Sequence, residues 1–273
     1  MAILDLKKLT EDYWRDFCIK NKYEFVNAEM SWLNGQYPVR LYNLNVQVPD
    51  PIVTDNPTNS AVARGVTPNP TSQPIVRTVG YTETLTDSQS TTTEHGVTAG
   101  ASVTVKSEAG FLFAKVGVEA TVSFEYNYTT SKTYTTEISR SWTDSVTITV
   151  PPGYQTTHTF IVQTGPFDKN VVLECDIDGY TMCYYRENGI TKYVNHSMAR
   201  ILHEMGYTDS THIYVAHFIG SGKLEGKMGL QSYVNVVETP LPGRAGQTRE
   251  YQIPVTRRSG LDIPIFDPIV SRQ

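Results

Sequence analysis

The stretch from residue 75 to residue 150 constrains the fold more than any other part of the chain, because it contains no proline. It is rich in threonine, serine, valine and tyrosine, and polar and apolar residues alternate with a period of two in segments such as TVGYTETLTDSQSTTT and TTEISRSWTDSVTITV. This alternation is typical of β-strands. Because the segments exceed the usual strand length of about five or six residues, we predict a mainly β fold of long antiparallel strands over residues 75–164.

Residues 97–126 show the alternation most clearly and predict an amphipathic hairpin. The apolar residues of the first arm are Val97, Ala99, Ala101, Val103 and Val105, and those of the second arm are Ala114, Val116, Val118, Ala120, Val122 and Phe124. Polar or small residues lie between them. A turn at residues 107–110 would place both apolar sets on one face of the hairpin and both polar sets on the other.

The length and the two faces of this hairpin match a pair of membrane-crossing strands. Each arm has about ten residues, and a tilted strand needs about 9–11 residues to cross a bilayer. An isolated hairpin would leave backbone groups unpaired in hydrocarbon, so several copies must close into a barrel. We predict that the apolar residues of both arms face lipid, together with the apolar tip formed by Phe111, Leu112 and Phe113. The residues predicted to face the lumen are Thr98, Ser102, Thr104, Lys106, Glu108, Lys115, Glu119, Thr121, Ser123 and Glu125.

An alternating hairpin is also typical of a half-buried antiparallel sheet in an ordinary β-sandwich. Three features favour membrane insertion: the length of the arms, the apolar tip, and the hydroxyl-rich strands at residues 82–93 and 128–141 on either side. An ordinary sandwich would not need such extensions, whereas a barrel whose upper wall stays in water would use them.

The remaining regions predict a small α+β head and a separate C-terminal tail. Residues 1–50 and 165–235 are assigned to the head, with a short helix over residues 11–20 capped by Thr10 and another that starts near Met198. Residues 49–74 are proline-rich and lack periodicity, which predicts an extended linker. Residues 236–273 are assigned to a final strand near residues 247–256 and a tail.

The composition and the motifs argue against several classes of function. The formal net charge of −5 disfavours nucleic-acid binding, which needs a dense basic surface. No zinc-protease, GxSxG or complete P-loop motif is present, so we predict no enzyme, no metal site and no cofactor. Three cysteines do not indicate a disulfide framework, and whether Cys175 and Cys183 pair is left open. The opening residues do not match a secretory signal, which favours storage inside the producing cell.

The order of these parts resembles the aerolysin-like toxins of the ETX/MTX2 family, in which hydroxyl-rich strands flank an amphipathic insertion hairpin. The corresponding segments are residues 81–93, 97–126 and 128–149, and residues 1–7 also resemble the start of some Bacillus crystal toxins near the parasporin group. The resemblance implies an elongated, mainly β protoxin that is stored in a parasporal inclusion. It would then be cut by a protease, bind a receptor on the target-cell plasma membrane, form a homo-oligomer and insert a β-barrel.

The resemblance also suggests where activation and receptor binding take place. Arg257 and Arg258 are the predicted activation site, and Arg244 and Arg249 are further points where a trypsin-like protease could cut. The predicted receptor-binding residues are Trp14, Tyr23, Trp32, Tyr37, Tyr184 and Tyr185. Two alternatives stay open: a glycan-binding β-sandwich that does not insert, and a crystal protein with the toxin fold but no known target.

Overall fold

The structure is a computed structural model that describes residues 2–48, 52–54, 57–115, 117–208 and 213–257. Its helices are α1 (Leu6–Asn21) and α2 (Met198–Glu204). Its strands are β1 (Ala2–Asp5), β2 (Glu24–Glu29), β3 (Arg40–Gln47), β4 (Ile52–Thr54), β5 (Thr58–Pro68), β6 (Ile75–Thr98), β7 (Thr104–Phe113), β8 (Val118–Asn127), β9 (Tyr134–Val150), β10 (Tyr154–Asp178), β11 (Tyr180–Glu187), β12 (Ile190–Ser197), β13 (Val215–Pro240) and β14 (Arg249–Arg257). The mainly β prediction is therefore confirmed.

Three very long strands run through the molecule. Strands β6, β10 and β13 contain 24, 25 and 26 residues. At about 3.3 Å per residue, a strand of this length extends for roughly 80 Å. Strands β10 and β13 are antiparallel partners along their whole length; β10 crosses the boundary predicted at residues 164/165, and β13 crosses the one predicted at residues 235/236. The head and the long-strand region therefore share continuous strands.

One end of the molecule is a sandwich of two layers, which belong to one eight-stranded sheet because β6 also pairs with β13 between Ser88 and His95. Its lower layer has the order β5-β10-β13-β14, and its upper layer is a two-stranded ribbon in which β6 pairs with β9 from Ile75↔Val150 to Thr91↔Tyr134. We call this pairing the hydroxyl ribbon, because threonine and serine dominate its outward face. The inward face is apolar and closes a core that includes Trp142, Ile148 and Phe160.

The other end of the molecule contains both helices and a three-stranded sheet of order β12-β11-β2. The first helix begins earlier than predicted, because the Asp5 side chain accepts hydrogen bonds from the backbone of Lys7 and Lys8. Thr10 lies inside the helix, where its hydroxyl donates to the carbonyl of Leu6 at 2.7 Å. The second helix starts as predicted, at Met198 after the cap residue Ser197.

The structure corrects the predicted linker and answers the open question of a disulfide. The linker predicted over residues 49–74 contains β4 and β5, and β5 pairs with β10 from Thr58↔Thr164 to Pro68↔Gln155. The prolines near this strand lie at its ends, so they do not interrupt the ladder. All three cysteines are free and buried, and Cys183 Sγ lies 3.8 Å from Cys18 Sγ. Cys175 and Cys183 therefore do not form a disulfide.

Candidate functional site

Strands β7 and β8 form an amphipathic hairpin, but its turn differs from the prediction. The strands pair from Thr104↔Asn127 to Phe113↔Val118, so the turn lies at residues 114–117 and not at residues 107–110. Gly117 supports this turn with a φ of +62° and donates its N–H to the carbonyl of Phe113. The predicted turn was wrong because the apolar alternation of the first arm continues through Phe113.

The first arm also begins later than predicted. Val97 and Thr98 belong to the end of β6, and residues 99–103 connect β6 to β7 without forming a strand. Ala101 and Ser102 are exposed in this connection, while Ala99 and Val103 are half-buried. The stretch of 97–103 is therefore not part of the hairpin in this structure.

The hairpin separates an apolar face from a polar face. Its buried residues are Ala109, Phe111, Phe113, Val118, Ala120, Val122, Phe124 and Tyr126, and Val105 on the same face is half-buried. The opposite face carries Thr104, Lys106, Glu108 and Glu119, which are exposed, and Thr121, Ser123 and Glu125, which are half-buried. Leu112 lies on this polar face because residues alternate along a strand. Ala114 and Lys115 are exposed in the turn, and Val116 lies outside the described residues.

The apolar face packs against the long strands. The ring centroids of Phe111 and Phe167 are 4.5 Å apart. Phe113 lies so close to Gly165 that a Cβ atom built on this glycine would be 2.2 Å from the Phe113 ring. A larger residue at position 165 would therefore push the hairpin away from the long strands against which it packs.

The outer edge of β8 is held by side chains of β6. Gln89, Thr91 and Thr93 donate hydrogen bonds to the carbonyl groups of Ser123, Glu125 and Asn127, at 2.9, 2.8 and 2.6 Å. We call these three donors the side-chain clasp. In the described part of the chain, β8 has a backbone ladder only with β7, while β7 also pairs with the three-residue strand β4. The clasp thus takes the place of a backbone ladder at this edge.

The hydroxyl ribbon lies next to the hairpin in sequence on both sides. Its outward face carries cross-strand pairs of hydroxyl groups, with oxygen–oxygen distances from 2.8 to 3.3 Å in the pairs Thr78–Thr147, Thr86–Ser139, Ser90–Thr135 and Thr92–Thr133. The predicted hydroxyl-rich strands that flank the hairpin are therefore present, and they pair with each other.

The structure separates the aromatic residues predicted to bind a receptor. Trp14 is fully buried and donates its indole N–H to Thr181, so it is not available at the surface. Tyr23 and Tyr185 are half-buried and stack with a centroid distance of 4.4 Å.

Two aromatic groups, each with one exposed tyrosine, include residues that the sequence analysis did not select. Trp32 and Tyr37 lie 5.6 Å apart and group with Tyr180, which was missed. Tyr184 lies 6.5 Å from Tyr193, which was also missed and is strongly exposed. The cross-strand pairing of Tyr184 with Tyr193 is the signal that could have identified the second group.

The predicted activation site lies at the end of the described chain. Arg257 is the last residue of β14 and pairs with Gln231, whereas Arg258 lies outside the described residues. Arg249 is the first residue of β14, and Arg244 is exposed in the turn between β13 and β14. A cut after Arg257 would leave β14 in the chain, and a cut after Arg244 would break the covalent link between β13 and β14, whose ladder of hydrogen bonds would remain.

Burial shifts the pKa of several titratable groups in the described part of the chain. Burial raises the pKa of Tyr126 in β8 and of Tyr128 just after this strand, so both stay neutral. Burial lowers the pKa of His158, whose Nδ1 lies 2.6 Å from the hydroxyl of Tyr81 in the sandwich core. Among the described residues, no group of three or more histidine, cysteine, aspartate or glutamate side chains could hold a metal ion. No helix in the described ranges is long and apolar enough to span a membrane.

Residues 20–250 match the family model for Clostridium epsilon toxin ETX and Bacillus mosquitocidal toxin MTX2. The chain belongs to this toxin family. It is 29% identical to the pesticidal crystal protein Cry15Aa of Bacillus thuringiensis subsp. thompsoni over 228 residues, which cover 74% of this chain and 67% of that protein. The family resemblance predicted from the hydroxyl-rich strands and the hairpin is confirmed.

Solved structures show the same fold. A non-toxic crystal protein from Bacillus thuringiensis is 30% identical with a TM-score of 0.76, covering 89% of this chain and 100% of that one. A chain of the Cry23Aa1 and Cry37Aa1 binary complex is 28% identical with a TM-score of 0.78, covering 95% and 99%. The Mpp75Aa1.1 β-pore-forming protein from Brevibacillus laterosporus is 18% identical with a TM-score of 0.54, covering 94% and 97%, and shares the fold. The aerolysin-like fold is therefore confirmed.

Proposed function

We propose that this protein is a β-pore-forming toxin that stores the hairpin β7–β8 against its own sheet and inserts it into a target membrane as part of a ring of copies. One observation carries the proposal. A hairpin with an apolar face and a polar face lies between the two strands of the hydroxyl ribbon in sequence, and side chains hold its outer edge. An edge held in this way can separate without breaking a backbone ladder.

The dimensions of the hairpin support this function. Strands β7 and β8 each have 10 residues, within the range of about 9–11 residues for a tilted membrane strand. The face that is buried in the monomer carries alanine, valine and phenylalanine, and it would face lipid. The opposite face would line the lumen, where Lys106, Lys115, Glu108, Glu119 and Glu125 carry one net negative charge per copy. A lone hairpin would leave its edges unpaired in hydrocarbon, so the pore must be a homo-oligomer.

The steps before insertion are part of the same proposal. The exposed residues Tyr37 and Tyr193, with the half-buried aromatic residues beside them, are suited to bind a cell-surface receptor, because tyrosine combines an apolar ring with a polar hydroxyl. A protease would remove the segment after β14 at Arg257 or Arg258. The crystal-protein relatives support storage in a parasporal inclusion, followed by release and action at a plasma membrane. The role requires neither a catalytic residue nor a cofactor.

One relative favours a second candidate function. The solved structure that is 30% identical is described as a non-toxic crystal protein. A chain with the same fold could therefore form crystals and hold the hairpin permanently in place. A glycan-binding protein that does not insert would differ from both candidates, because it would bind cells as a monomer and carry no current.

The test is the current across a planar bilayer before and after limited trypsin treatment. We expect discrete conductance steps after treatment. Val105→Lys should reduce the current at least tenfold, because a lysine on the lipid face costs up to about 2–4 kcal/mol per strand and every copy in the ring carries it. The matched control is Thr104→Lys, which places the same charge on the neighbouring lumen position of β7. Absence of conductance from the treated chain would contradict pore formation, and equal currents from the two variants would contradict the assignment of the faces.

A further inference from the structure

The hydroxyl ribbon and the hairpin follow different registers. The ribbon ends with Thr91↔Tyr134, and its register, continued one residue at a time, would pair residue 98 with Asn127. The hairpin instead pairs Thr104 with Asn127. The registers therefore differ by six residues, the difference between positions 104 and 98. A shift by an even number keeps every side chain on its own face.

Both registers meet at Tyr128. The carbonyl of Tyr128 accepts the N–H of Val97 at 3.0 Å, and this pairing belongs to the ribbon register. The N–H of Tyr128 donates to the carbonyl of Val103 at 2.9 Å, and this pairing belongs to the hairpin register. Residues 98–102 lie between these two contacts, and we call them the looped segment. The ribbon register therefore changes to the hairpin register within the looped segment, opposite Tyr128.

The looped segment has the pattern of a strand, although only its first residue, Thr98, belongs to one, at the end of β6. From Val97 to Val103, apolar residues alternate with Thr98, Gly100 and Ser102. Alternating apolar and polar residues separate the two faces of a strand, whereas a loop does not require them. In the ribbon register, the apolar residues would face partners that are also apolar: Val97 with Tyr128, Ala99 with Tyr126, Ala101 with Phe124, and Val103 with Val122. The polar positions would face polar partners, including Ser102 with Ser123 and Thr104 with Thr121.

We propose that the hairpin changes register by six residues when it inserts, so that the hydroxyl ribbon continues through it as one long pair of strands. This inference rests on the proposed pore-forming function. Strand β7 would slide by about 20 Å along β8 at about 3.4 Å per residue. The turn would move from residues 114–117 to residues 111–114, which places Phe111, Leu112 and Phe113 at the tip.

The lysine on the first arm has an acidic partner in both registers. Lys106 faces Glu125 in the described hairpin and would face Glu119 in the ribbon register. Opposite charges on directly facing positions stabilise a strand pair. Phe111 and Phe113 favour the stored register in water, because they are buried only there. A membrane removes this preference, since the tip then passes through hydrocarbon. Contact with lipid therefore compensates for the free energy that the stored register gains in water by burying Phe111 and Phe113.

Two pairs of cysteine substitutions that share one position test the shift. Glu108 and Ser123 face each other in the described hairpin, and the Ser123 hydroxyl donates to Glu108 at 3.2 Å. Glu108→Cys/Ser123→Cys should therefore form a disulfide in the soluble chain when diamide takes up the two thiol hydrogens. Ser102 instead contacts Asn127, four residues from Ser123 and thus roughly 13 Å away along β8. Ser102→Cys/Ser123→Cys should not form a disulfide in solution, because this distance exceeds the disulfide range.

The pattern should reverse in trypsin-treated protein bound to vesicles of phosphatidylcholine and cholesterol. There we expect peptide mapping by mass spectrometry to detect the disulfide between positions 102 and 123. Closing the disulfide between positions 108 and 123 beforehand should reduce dye release at least tenfold, and a reductant should restore it. Dye release within twofold of the reduced form, or oxidation of the 108–123 pair alone in the vesicles, would overturn the register shift. If the unsubstituted chain releases no dye, pore formation itself is refuted and the register shift falls with it.

Discussion

The side-chain clasp makes a quantitative prediction about how firmly the hairpin is stored. Replacing two of its donors, Thr91→Val and Thr93→Val, removes two hydroxyl groups but keeps the shape of the side chains. Both threonines are buried, with 5% and 2% of their surface exposed. The carbonyl groups of Glu125 and Asn127 would then lose these partners, while the packing of the hairpin would be retained.

The expected magnitude follows from the cost of a buried polar group without a partner, which is about 1–3 kcal/mol. Two such groups give about 2–6 kcal/mol, and this cost disappears when the hairpin leaves its seat and water reaches the carbonyls. The equilibrium between the stored and the released hairpin should therefore shift by at least roughly 30-fold, since about 1.4 kcal/mol corresponds to a factor of ten. Global unfolding should be affected by the same amount or less.

Hydrogen exchange measures this shift directly. We expect the amides of β8 to exchange at least tenfold faster in the double variant, and trypsin-treated protein to release vesicle dye sooner. Thr92→Val is the matched control, because the Thr92 hydroxyl bonds to Thr133 on the outward face of the ribbon and holds no part of the hairpin. If the β8 amides exchanged hydrogen equally slowly in the double variant and in the control, the role of the clasp would be refuted.

Two further predictions concern the core and the pH dependence of stability. Phe113→Ala should lower the free energy of unfolding by about 3–5 kcal/mol, because it opens a cavity beside Gly165 and Leu230; a change in urea-unfolding free energy below 1 kcal/mol would show that the site collapses without cost. The pKa of His158 is lowered by burial, so the unfolded chain binds more protons than the folded chain below the ordinary histidine pKa of about 6.5. Stability should therefore fall between pH 7.5 and pH 5, and His158→Gln should reduce this loss in urea titrations; an unchanged pH dependence would exclude His158 as its source.

The alternation of residue types was sufficient to predict the long strands and the two faces of the hairpin, except at Leu112, which was assigned to the apolar tip but lies on the polar face opposite Glu119. Polar and apolar residues alternate through β6 and β9, and the same pattern separates Phe111 and Phe113 from Glu108. Strand β14 was also placed within two residues of its observed start at Arg249. These features depend on local sequence, which one chain shows directly.

Features that depend on contacts between distant segments were not predictable. The clasp requires that β6 lie across the edge of β8, and no local pattern encodes this packing. Trp14 was selected as a surface residue because helical periodicity does not reveal which face meets the core. The turn of the hairpin was misplaced because the first arm continues through Phe113, and the packing of Phe113 against Gly165 that fixes this register is a contact between distant segments.

The two registers lead to a prediction in which the number of inserted residues matters more than their identity. One alanine placed between Gly100 and Ala101 should leave the soluble fold intact, because both residues are exposed in the looped segment. In the ribbon register, however, one extra residue moves the remainder of the first arm to the wrong face. A bulge that absorbed it would leave backbone groups unpaired in hydrocarbon.

Two inserted alanines restore the faces, so they form the matched control. We expect the single insertion to reduce dye release at least tenfold and the double insertion to keep it within about threefold, with equal urea-unfolding midpoints for both. If the hairpin instead inserted in its stored register, the looped segment would stay outside the strands and both insertions would be tolerated. Equal dye release from the two variants would therefore refute the change of register, because the segment would then never become part of a strand.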